Sequence, residues 1–177
     1  MKTLCLAVAL AMTATLAQAE DMAEMISQYR REHGLSTVKT DPELTAIAER
    51  QAMAMAASGV MDHSVAGSFA SRVAGAHPRR AAENIAAGTK TWTETFRAWQ
   101  NSPGHNANLL QSQADSVGVA MARNDQTRYK TFWAMVIADK SPKKKGTNFA
   151  EGNGSWGYVI SENPISTIKH FICNYLC

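Results

Sequence analysis

The sequence predicts an α+β sandwich, and three observations carry that prediction. Between residues 21 and 110, apolar side chains recur at helical spacing in segments punctuated by glycine and proline. From residue 117 the period drops to two, with Val117, Val119 and Met121 alternating with Gly118, Ala120 and Ala122. Tyr129 to Ala138 is then almost wholly apolar, with Phe132, Trp133, Met135 and Ile137, as a strand covered on both faces must be. The turn-like Asn124 to Thr127 is a short connection, so these two strands pair as an antiparallel hairpin. Helices first, a hairpin after, and a strand that needs cover on both sides together place helices on a sheet.

The elements follow in order. Lys2, the apolar run Leu4 to Leu16 and the small-residue triplet Ala17-Gln18-Ala19 read as a Sec-type signal peptide over 1–19, cut before Glu20. That run is shorter than the ~20 residues a spanning helix needs. The mature chain is therefore expected to be exported, periplasmic or extracellular, with no transmembrane segment. One domain is expected over 20–140. Its first helix carries Met22, Met25, Ile26 and Tyr29 and stops before Gly34. A second starts at Asp41-Pro42 and runs to about Ser58 before Gly59, with Leu44, Ile47, Ala48, Ala52 and Met55 as its stripe. A short helix is expected over Gly67 to Ala74, then a loop from Ala76 to Arg80 around His77-Pro78. Thr91-Trp92-Thr93-Glu94 is a capping box that opens a helix with Trp92, Phe96 and Trp99 on one side, ending near Asn101. Ser102-Pro103-Gly104-His105 starts the next at once, with the serine hydroxyl as its cap. From 141 to 177, a linker rich in lysine, glycine, asparagine and serine leads to an apolar tail.

Composition excludes several classes. Apolar residues make up 45% of the chain, ordinary for a globular core. Without Lys2 there are 17 basic and 15 acidic side chains, too balanced for a nucleic-acid partner. Of the three cysteines only Cys173 and Cys177 outlast cleavage at Ala19, and so near the C-terminus they cannot staple the domain.

His63, Glu83 and His105 form the one constellation that looks like a site. His105 falls in the first turn of its helix, where the positive dipole end favours a neutral imidazole, able to act as base or ligand. Three readings stay open. Two imidazoles and a carboxylate can hold Zn²⁺ with an open position. They can act without metal, Glu83 orienting a histidine that serves as general base. They can also be a hydrogen-bonded polar cluster that ties the sheet edge to the helices. Ser102 is a lesser candidate nucleophile beside His105, its hydroxyl being assigned to the cap. Asn84 and Asn108 are read as backbone-bonding residues before ligand-binding ones.

Four stretches carry a resemblance: M-D-H-S at 61–64, A-E-N-I-A at 82–86, W-Q-N-S-P-G-H-N-A-N-L-L at 99–110 and S-V-G-V-A-M at 116–121. With the aromatic strand at 131–138, their order resembles the CAP superfamily of cysteine-rich secretory, antigen 5 and pathogenesis-related proteins, in its bacterial SCP-like branch. The resemblance implies a three-layer α-β-α sandwich with a central antiparallel sheet. It also implies a cleft holding two histidines and two acids, here His63, His105 and Glu83. Ser102 stands where many eukaryotic members have the second acid. The function expected first is a cleft that binds a lipid or cell-envelope ligand, with or without zinc. The rivals are a hydrolase of peptide or cell-wall bonds and a protein that works through its surface.

Overall fold

The computed structural model describes residues 21–140; the expected signal peptide, Glu20 and the 141–177 tail with Cys173 and Cys177 lie outside the described residues. Helix α1 covers residues 21–32. It is followed by β1 (Lys39–Thr40), α2 (Pro42–Ser58), α3 (Phe69–Val73) running into a 3₁₀ turn (Ala74–Ala76), and β2 (Arg80–Ala87). Then come α4 (Trp92–Asn101), α5 (Pro103–Leu109), β3 (Ser116–Arg123) and β4 (Thr131–Asp139).

The helix signals act as their chemistry requires. Asp41 Oδ1 accepts from the Leu44 N–H at 2.9 Å ahead of Pro42, and Gly59 closes α2 at φ 72°. Thr91 Oγ1 accepts from the Glu94 N–H at 3.2 Å to start α4. Glu94 returns the bond one residue earlier than a capping box does, accepting from the Lys90 N–H at 2.8 Å.

The sheet runs β1-β3-β4-β2. The hairpin pairs antiparallel with Val119 opposite Met135, and β2 adds antiparallel on the far side of β4 with Glu83 opposite Val136. The sheet is antiparallel except at one edge, where β1 runs parallel to β3 through Lys39 and Thr40. Two residues are too few to show a period, so this pair leaves no mark in the sequence.

Period two along β4 builds two cores. Phe132, Ala134, Val136 and Ala138 pack in one with Leu44, Ile47, Ala48 and Met55 of α2. Trp133, Met135 and Ile137 pack in the other with Ile26 of α1 and Phe96 and Trp99 of α4. The result is the expected three-layer sandwich, with β4 buried along its whole length. Gly118 sets how closely α2 approaches: a Cβ there would stand 2.1 Å from the Thr45 backbone nitrogen. Arg30, fully buried, donates to the carbonyls of Ser36, Leu109, Gln111 and Ala114 at 2.8–3.1 Å, fixing the chain that follows α5 onto α1.

Strand β2 is the element least visible in the sequence. The loop expected to reach Arg80 ends one residue sooner, because Arg80 opens the strand. Ala81 to Ile85 are buried without interruption, so no polar–apolar alternation advertises the pleat. The pleat is nevertheless there, since Ala81 and Ile85 join the α2 core and Ala82 joins the α4 core. Glu83 therefore projects to the α2–α3 side and Asn84 to the α5 side of an edge strand.

Candidate functional site

The site is assembled at the β2 edge from three directions. His63 lies just beyond α2, in a loop held by Gln51 Nε2 donating to the Asp62 carbonyl at 2.7 Å. Glu83 comes from the middle of β2 and is only 2% exposed. His105 comes from the first turn of α5.

His63 Nδ1 donates to Glu83 Oε1 at 2.7 Å, leaving Nε2 as the ring's basic nitrogen. Glu83 has a second partner that no sequence motif marks. Arg72, from α3, donates through Nη1 to Oε2 at 2.6 Å and through Nη2 to Oε1 at 2.9 Å, a bidentate pair. The guanidinium side chain is 5% exposed. It also donates to the carbonyls of His63 at 2.8 Å and Gly67 at 3.1 Å, and its head sits 5.4 Å from the Phe69 ring centroid. Nothing in F-A-S-R-V distinguishes this arginine: a buried salt bridge eleven residues apart depends on the path of the chain between them.

Ser102 departs from its expected role. It has the extended backbone of a cap and Pro103 follows it, but its hydroxyl makes no bond to a backbone N–H. Ser102 Oγ pairs instead with His105 Nδ1 at 2.9 Å, so the assignment of the hydroxyl to the cap is corrected. The imidazole, three residues on, reaches back over the helix start and offers the hydroxyl a stronger partner. Burial first, and the neighbouring His63 second, hold the His105 imidazole below its ordinary pKa, so the neutral ring is favoured.

Asn84 and Asn108 form a strut under His105. Asn108 Nδ2 donates to Asn84 Oδ1 at 2.8 Å and to the Glu83 carbonyl at 3.3 Å; Asn84 Nδ2 donates to the His105 carbonyl at 3.1 Å. Both residues are buried, and these amide groups bond protein. They position His105 and dock α5 on β2. A cavity of about 310 Å³ opens beside the strut, lined by Arg80, Ala81, Ala82, Ala107, Asn108, Gln111 and Ser112.

The donor set does not fit zinc. An open zinc site takes three protein ligands. Oε1 of Glu83 already accepts from both Arg72 and His63, and a metal on the lone pair left at Oε2 would sit against the Arg72 guanidinium charge. Among the described residues no three His, Cys, Asp or Glu side chains converge as a metal-ligand set.

A family model described as CAP, the cysteine-rich secretory protein family, matches residues 23–137, and with them every residue of this site. The chain belongs to the CAP family. Protein YkwD of Bacillus subtilis (strain 168) is 30% identical to it over 103 residues, 55% of this chain and 40% of YkwD, so the chain spans well under half the length of that relative. An outer surface protein of Borrelia burgdorferi superposes with a TM-score of 0.60 at 17% identity, over 67% of this chain and 90% of its own. An SCP-domain extracellular protein of Bacillus anthracis str. Ames gives 0.60 at 23% identity, over 70% of this chain and 41% of its own. Likeness at such identities shows a shared CAP fold, the α-β-α sandwich.

Proposed function

We propose that this CAP protein is an exported binding module whose β2-edge cleft takes a lipid or cell-envelope ligand. The grip of Arg72 on Glu83 carries the reading. A carboxylate held by a buried guanidinium can orient His63 but is not itself placed to pass a proton to a substrate, and Ser102 stands where a second acid would be. What faces a ligand is then His63 and His105, and the cavity under Asn108, which neither histidine lines, offers a separate place for its apolar part, a combination that suits recognition. Export is supported by the signal-like leader and by relatives described as outer-surface or extracellular. Among the described residues no helix is long and apolar enough to cross a membrane.

The test is co-sedimentation of the mature protein with vesicles of envelope phospholipids and, separately, with purified peptidoglycan. Binding to one of them, reduced at least tenfold in both His63→Ala and His105→Ala, is the expected result. Equal binding by all three proteins points to the outer surface instead. Soluble fragments released from either material point to the hydrolase reading, which the Ser102–His105 contact would then serve.

A further inference from the structure

We infer that Arg72 is the resident cation of this cleft: it occupies Glu83 as a divalent metal would and keeps the two-histidine cluster of this chain metal-independent. The guanidinium reaches one carboxylate oxygen at 2.6 Å and the other at 2.9 Å, so its charge lies against both oxygens that a metal ion could use. A metal on the remaining lone pair of Oε2 would meet the guanidinium's positive charge, and one that takes both oxygens must displace this arginine. The displaced guanidinium would stay tied to the carbonyls of His63 and Gly67 and to the Phe69 ring, as a buried cation without its anion. A metal on both oxygens would also take the one that fixes His63 through Nδ1. Two imidazoles alone do not repay those losses. Arg72 thus decides which chemistry the cluster can have, whatever ligand the cleft takes, and acts through Glu83 as a positioning residue for His63.

Zinc is the probe. Titration calorimetry of the mature chain, with Cys173 and Cys177 replaced by serine so that no tail thiol takes metal, compares four proteins. Parent and Glu83→Gln are expected to bind zinc with the same weak affinity, because Glu83 is not a ligand while Arg72 is present. Arg72→Met is expected to gain at least tenfold, and adding Glu83→Gln to it to abolish the gain. A loss of zinc affinity in Glu83→Gln with Arg72 intact would overturn the inference, and so would an Arg72→Met protein that folds and gains nothing. Should Arg72→Met not fold, imidazole ¹⁵N spectra of the parent decide: His63 stays protonated on Nδ1 at saturating zinc if the inference holds, and loses that proton or shifts strongly if zinc takes Glu83.

Discussion

His105 is the residue whose surroundings can be read in a titration. Its folded-state pKa lies below the ordinary 6.5, through burial and the nearby His63. As pH falls through 6.5 the unfolded chain takes up this proton before the folded one does. The unfolded state then binds more protons, so stability drops with falling pH. The loss begins near the unfolded value and stops below the folded one; above pH 7 this contribution is complete. His105→Asn, which keeps a polar group near Ser102, should flatten the stability curve as pH falls below about 7. Urea unfolding across that range measures it, and an unchanged slope would mean that His105 is not the group responsible.

At the scale of elements, the tightest packing at any described glycine is α2 on β3 at Gly118. A methyl group there would meet the backbone of Leu44 and Thr45 at 2.1–2.6 Å, and neither can swing aside as a side chain tip can. Gly118→Ala should therefore cost about 3 kcal/mol or more, at the upper end of overpacking, because the first turn of α2 must lift off the sheet. A chemical-denaturation midpoint within error of wild type would show that this approach is looser than described. The same comparison of elements shows what is legible from sequence. Helices α2 and α4 announce themselves through Asp41-Pro42, Gly59 and Thr91, whose hydrogen bonds are local and so written in adjacent residues. The hairpin is legible because every second side chain of β3 from Val117 to Met121 is apolar and Phe132 to Ala138 of β4 are apolar throughout. Strand β2 is not, since Glu83 and Asn84 are buried on opposite faces and paired with residues far along the chain. The candidate site follows the same division. His63, Glu83 and His105 can be picked out as residue types in motifs, and His63–Glu83 is a direct bond. Arg72, the Asn84–Asn108 strut and the four carbonyls on Arg30 cannot, because each partner is chosen by tertiary packing and leaves no spacing to find. Ser102 shows the limit from the other side. A cap signature fixes the backbone at a helix start, but leaves a hydroxyl free to prefer a nearby imidazole.

Across the whole molecule, two cores separated by the sheet supply the rigidity, while β2 at its edge supplies the opening. Lys140, at the end of the described chain, donates to Asp41 and Glu43 at 2.7 Å each, tying the exit of β4 to the start of α2. The site is therefore carried on a closed scaffold, with its one carboxylate spent inside it. The consequence for activity is that Glu83, gripped by Arg72, can orient His63 but is not itself placed to pass a proton to a substrate. The most direct measurement is product release from casein, peptidoglycan and a small ester by wild type and Glu83→Gln side by side. The predicted result is no turnover above buffer in either protein. Reproducible turnover by wild type that falls ~10²–10⁴-fold in Glu83→Gln, the usual loss for an essential acid–base group, would contradict it.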